Sequence, residues 1–130
     1  MINIALNSDE TSLENEDEMC LNLGLNYLHL PLSLDMPSDE QCILILDLVH
    51  HLVQEKMVWL HCSNSLRVSS LLYLYQQYYL GLDLATAHEL LYQVWEPDNT
   101  WTGLLHAVAL QLQGRKSTEE LQQSLQQVEA

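Results

Sequence analysis

A chain of 130 residues with 48% hydrophobic side chains is long enough to bury a core and too apolar to stay unfolded. Eighteen Asp and Glu against four Lys and Arg give a formal net charge of −14, which argues against nucleic acid or an anionic membrane as partner, because their phosphates would be repelled. Three cysteines without a short-spaced pair make no disulfide framework, so a reducing cytoplasm is the expected home. The N-terminus lacks a signal-like basic and apolar run, and every apolar stretch is broken well short of the roughly 20 residues of a membrane span.

Residues 2–6 read as a short strand. The acidic stretch 7–18, with Asp9, Glu10, Glu14, Glu16, Asp17 and Glu18, reads as a solvated loop and the exposed first turn of a helix, where carboxylates favour the dipole. That helix is expected to reach Leu23 and to stop at Gly24. Residues 26–31 form a second strand. Ser38 with Gln41 three places later is a capping box that opens a helix to about Gln54. Residues 57–62 form the third strand.

The next predicted helix carries Val68, Leu71, Leu72, Tyr75, Tyr78 and Tyr79 on one face and ends at Gly81. Asp83 caps a helix with Leu84, Ala87, Leu91, Val94 and Trp95 inward. After the 96–99 turn, a further helix buries Trp101, Leu104, Leu105, Val108 and Leu112, and Gly114 stops it. Ser117 with Glu120 forms a second capping box, so 115–130 is expected to be a separate helical tail with a thin stripe of Leu121, Leu125 and Val128. Strands alternating with helices give an α/β fold: a small parallel sheet with flanking helices and a helical C-terminal half, one domain over 1–114.

The chemistry concentrates where the third strand ends in His61-Cys62. A polar loop follows, and Arg67 stands at the head of a helix. A helix N-terminus and a guanidinium both favour a thiolate nearby. The loop amides of Ser63, Asn64, Ser65 and Leu66, with Arg67, form a natural oxyanion cradle. Cys20 and Cys42, in Leu- and Ile-rich helical stretches, read as packing. His50 and His51 diverge by about 100° on a helix, and His29, His88 and His106 are isolated, so neither a metal nor a cofactor is expected. Trp95 and Trp101 flank a turn and read as packing for the helical half.

His61-Cys62 followed by Arg67 at a helix head resembles the signature loop of cysteine-dependent protein tyrosine and dual-specificity phosphatases. Asn26-Tyr27-Leu28-His29-Leu30-Pro31, followed by an acidic turn and a helix, is similar to their general-acid segment. The run from Arg67-Val68-Ser69 through Trp95-Glu96-Pro97-Asp98-Asn99-Thr100-Trp101 resembles a bacterial group that includes the phosphatase-like domain attached to some beta-lactamase-like hydrolases. The similarity covers about residues 2 to 110.

By that resemblance, Cys62 is the nucleophile of a phosphomonoester hydrolase working through a cysteinyl-phosphate. Arg67 and the loop amides bind the oxyanion, Asp35 in Leu34-Asp35-Met36-Pro37 is the general acid, His61 supports the loop from behind, and Ser69 stabilises the thiolate. On its own terms, Asp35 also reads as a turn residue before Pro37.

Three departures stand against the match. Four residues separate Cys62 from Arg67 where the phosphatase signature has five, the loop holds no Gly, and Val68 follows the Arg where Ser or Thr is usual. Four is the spacing of the rhodanese-type sulfurtransferase loop, so a Cys62 persulfide is the alternative chemistry, and an inactive anion-binding or interaction relic is the third reading. The expected ligand is a phosphorylated or sulfur-containing small anion. Domains of the resembled kind begin with two more strands and a helix ahead of residues 2–6. Without them residues 57–62 form a sheet edge: either the start is misassigned, the protein is a shortened relic, or, if the start is correct, a second copy or another chain is expected to complete the sheet.

Overall fold

The computed structural model describes residues 1–9 and 12–129; Glu10 and Thr11 of the acidic stretch lie outside the described residues. Three short strands form the sheet: β1 (Ile2–Asn3), β2 (Leu28–His29) and β3 (Leu60–His61). Their order is β2-β1-β3, and both pairings are parallel, with Ile2 opposite Leu28 on one side and Leu60 on the other. Parallel neighbours need crossovers, and α1 (Glu16–Asn22) and α2 (Asp39–Val53) supply them. The ladder is shorter than the apolar runs suggest, because only the central residues of each run pair, although Leu32 N–H donating to the Ile4 carbonyl at 2.9 Å extends the contact. Among the described residues, β3 pairs only with β1, so it stands at the sheet edge, with Trp59 61% exposed beside it.

The C-terminal half is helical: α3 (Leu66–Tyr78), α4 (Leu84–Tyr92) and α5 (Asn99–Glu129). The caps behave as the sequence predicts. Ser38 Oγ accepts from Gln41 N–H at 3.3 Å, and an Asp83 carboxylate oxygen accepts from Thr86 N–H at 3.0 Å. The Ser38 box is one-sided, since the Gln41 side chain donates to the Pro31 carbonyl at 3.1 Å instead of returning to the cap. Gly24 and Gly81 both sit at φ 75°, a left-handed conformation that lets the chain leave α1 and α3 without a Cβ penalty.

Strand β1, the loop after β2 and the inner faces of α2 to α5 enclose one core. Ile2, Ile4, Leu32, Cys42, Ile45, Leu46, Leu71, Leu74, Leu91, Trp101, Leu104, Leu105, Val108 and Leu112 are buried in it. The α5 face is the one the sequence predicts. Three expectations are corrected. In α3 it is Leu74 that is buried and Leu72 that faces water, because the helix turns the Leu71–Leu74 side to the core. In α4 only Ala87 and Leu91 are buried; Leu84, and Val94 just beyond the helix, are exposed. α5 runs unbroken through Gly114 to Glu129, so 115–129 extends α5 instead of forming a separate helix. A single Gly costs a helix only about 1 kcal/mol, and the flanking residues are good helix formers.

Candidate functional site

Cys62 follows the last residue of β3, and only Ser63, Asn64 and Ser65 separate it from α3. Ser65 makes the turn into the helix at φ 67°, an uncommon conformation for a residue with a Cβ, and the Asn64 side-chain oxygen accepts from Leu66 N–H at 3.3 Å. One of the four amides expected to face an anion is thus held by the loop's own side chain. Cys62 is partly buried and opens into a cavity of about 190 Å³ lined by Asn3, Ala5, Ser12, Leu13, Glu16, His61 and Ser63.

Arg67 lies in the first turn of α3 and is 2% exposed. Its Nη1 donates to the Leu32 carbonyl at 2.9 Å, and its Nη2 donates to Asp9 Oδ2 at 2.8 Å. The same Asp9 oxygen accepts from the Ser63 hydroxyl at 2.9 Å and from Leu6 N–H at 3.1 Å. Burial alone would raise the Asp9 pKa; the hydrogen bonds from Arg67, Ser63 and Leu6 and the guanidinium charge outweigh it and hold the carboxyl below its usual value. Arg67 does not line the cavity that Cys62 opens into. The loop therefore brings thiol and guanidinium close in sequence but turns them to different surroundings, with Ser63 touching both.

His61 Nε2 is 2.7 Å from Glu16 Oε1 but makes no directed hydrogen bond to it. Glu16 is a hub: its Oε2 accepts from Asn3 Nδ2 at 3.0 Å and from the Tyr27 hydroxyl at 3.3 Å. Burial, and then the Glu16 charge, push the Tyr27 hydroxyl up, offset only in part by Asn3. His61 is thus held by α1. Ser69 donates to the Leu66 carbonyl at 2.9 Å inside its own helix. Asp35 is exposed on the loop between β2 and α2. That loop is tied at two points, by Arg67 on the Leu32 carbonyl and by Trp101 Nε1 on the Leu34 carbonyl at 2.8 Å. Trp101 is fully buried, and Trp95 Nε1 donates to Ser70 Oγ at 3.2 Å, so both indoles brace the helical half as expected.

The acidic stretch is not merely solvated. Asp9 and Glu16 turn inward, and neither was among the residues that sequence reasoning selected. One signal pointed to Asp9: a buried Arg in a chain of four cations needs an acid, and the loop after β1 opens at the same sheet end as the Cys62 loop.

The chain matches solved structures of phosphatases. One is a candidate phosphatase (DUF442) from Shewanella putrefaciens CN-32, with a TM-score of 0.72 at 21% identity over 85% of this chain and 72% of that one. Another is Tk-PTP in its active form, with a TM-score of 0.67 at 22% identity over 83% of this chain and 77% of that one. The chain shares the fold of these phosphatase structures. No family model and no curated protein sequence matches the chain. Among the described residues, no helix is long and apolar enough to cross a membrane.

Proposed function

We propose that this phosphatase-like protein is a cysteine-dependent phosphomonoester hydrolase of the tyrosine/dual-specificity kind. The observation that carries the reading is the placement of Cys62: at the C-terminal end of β3, with a tight loop leading directly into a helix whose first turn holds a buried Arg, in a phosphatase fold. The C-terminal ends of parallel strands are where α/β folds gather their chemistry, and a helix N-terminus there favours an anion.

In this reading the Cys62 thiolate attacks phosphorus and forms an S–P bond as the ester P–O bond breaks. The departing alkoxide or phenolate takes a proton from Asp35. Water then attacks the cysteinyl-phosphate, passing its proton back to Asp35, breaking the S–P bond and releasing phosphate and the Cys62 thiolate. The exposed position of Asp35, just after two ties at Leu32 and Leu34, suits an acid that must meet a substrate from solvent. The amides of Ser63, Asn64 and Ser65 bind the oxyanion, joined by Leu66 N–H and Arg67 once these leave Asn64 Oδ1 and Asp9. This chemistry needs no cofactor.

A second reading rests on one observation. The Cys62–Arg67 spacing of four leaves three residues outside the helix, and Leu66 N–H is already occupied. A loop so small suits a persulfide sulfur on Cys62 better than a phosphoryl group. The deciding experiment compares p-nitrophenyl phosphate hydrolysis with thiosulfate-dependent sulfur transfer for the wild type and Cys62→Ser. Phosphate release that Cys62→Ser abolishes supports the hydrolase. A gain of one sulfur on Cys62 with no phosphate release replaces it with the sulfurtransferase. Neither activity leaves an interaction module.

A further inference from the structure

Three donors converge on a single oxygen beside the Cys62 loop: Arg67 Nη2 at 2.8 Å, the Ser63 hydroxyl at 2.9 Å and Leu6 N–H at 3.1 Å. That is the donor arrangement of an oxyanion site, and the oxygen in it is Oδ2 of the protein's own Asp9. The guanidinium lies inside and the carboxylate outside: side-chain exposure is 2% for Arg67 and 22% for Asp9. An anion from solvent therefore meets Asp9 before it meets Arg67.

The carboxylate fills the site incompletely. It engages one edge of the guanidinium through Nη2, while the buried Nε–H has no acceptor among the described residues. An unpaired buried donor on a charged group is costly, and one more acceptor atom would relieve that cost. A tetrahedral oxyanion presents two oxygens at the spacing of the Nη2–Nε fork and a third toward the Ser63 hydroxyl. A second carboxylate or another monoanion offers no more charge than Asp9 does, and it lacks the advantage of being tethered.

Building on the reading of the Cys62 loop as an anion site, we propose that Asp9 is its specificity-determining residue: a resident carboxylate on Arg67 that a tetrahedral dianion displaces and a monoanion does not. Selectivity arises from competition. Every ligand must do better than the internal carboxylate, and only one that carries two charges and satisfies the free Nε–H does so. The same contact explains how an acidic chain keeps a buried Arg without an external counter-ion.

The test is calorimetric titration of the full-length chain with tungstate as the dianion and acetate as the monoanion. Wild type, Asp9→Asn and Arg67→Met are compared, each checked for native circular dichroism. The expected result is that wild type binds tungstate and not acetate. Asp9→Asn should bind tungstate about tenfold or more tightly, since a charged competitor has been removed, and should also gain acetate binding; Arg67→Met should lose both.

Tungstate binding that is equal or weaker in Asp9→Asn overturns the proposal: Asp9 then positions Arg67 and the anion site stands without it. No tungstate binding in either wild type or Asp9→Asn removes the anion-site reading itself, and the selectivity role with it. If Asp9→Asn does not fold, the Arg67 Nε–H resonance of the wild type decides. A shift on tungstate addition supports displacement, and an unmoved resonance in the tungstate-bound protein overturns it.

Discussion

Replacing the two members of the Arg67–Asp9 pair, singly and together, measures what holds the loop. Asp9→Asn keeps an oxygen for Ser63, Leu6 and Arg67 Nη2 but leaves a guanidinium that is 2% exposed without its counter-charge. Breaking a buried pair in this way costs about 3–5 kcal/mol. Arg67→Met strands the Asp9 carboxylate, which keeps two other donors and lies nearer water, so its electrostatic cost belongs at or below about 3 kcal/mol.

The double variant removes both charges together. It should be more stable than the two single costs imply, with a coupling of about 2–3 kcal/mol. Urea denaturation followed by circular dichroism gives all four corners of the cycle.

The sign with pH follows from the lowered Asp9 pKa. Its contribution is complete above the unfolded carboxylate value of about 3.9 and disappears as pH falls through the still lower folded value. Wild type should therefore lose stability below about pH 4 more steeply than Asp9→Asn does. Additive single costs, or parallel acid limbs, would refute the claim that these two groups form one unit.

Three further outcomes are expected. Trp101→Phe removes the donor to the Leu34 carbonyl and should cost about 1–3 kcal/mol, with faster amide exchange across residues 33–36; unchanged exchange would mean the indole does not hold that loop. In the native protein a thiol reagent should label Cys62 alone. Cys20 and Cys42 are buried, and burial pushes the Cys42 thiol up to about 12, so both should react only on unfolding, and equal labelling of all three would contradict the core. Gly114→Ala should raise stability or helix content by about 0.5–1 kcal/mol, because Gly114 lies inside α5 with open space where a Cβ would go; a loss would mean that the helix ends there.

Local rules carried much of the fold. The Ser38 and Asp83 caps, the left-handed Gly24 and Gly81, and the Trp101-Leu104-Leu105-Val108-Leu112 face each depend on neighbours within one or two turns, so spacing sufficed to find them. The parallel order followed from helices standing between strands. Where the prediction failed, the deciding neighbour was distant or the penalty small. Leu72 and Leu74 are equally apolar, and only the position of α3 against α2, α4 and α5 chooses between them. Gly114 and Ser117 carry stop and start signals, but neither is strong enough to break a long helix.

The site divides in the same way. Cys62, its loop and Arg67 were legible because they lie within six consecutive positions. The Arg67–Asp9 contact spans 58 positions and the His61–Glu16 contact spans 45, so both depend on how α1 and the β1 loop settle over the sheet. An acidic stretch in an acidic protein reads as solvent-facing, and nothing local marks which two of its carboxylates turn inward.

The central claim is that Cys62 is the nucleophile of a phosphoryl-transfer site. The most direct measurement is rapid acid quench of the protein with an aryl phosphate, followed by intact mass and peptide mapping. One phosphoryl group on Cys62, absent in Cys62→Ser, is the predicted result. An unmodified Cys62 during measurable phosphate release, or a phosphoryl group on another residue, would contradict it.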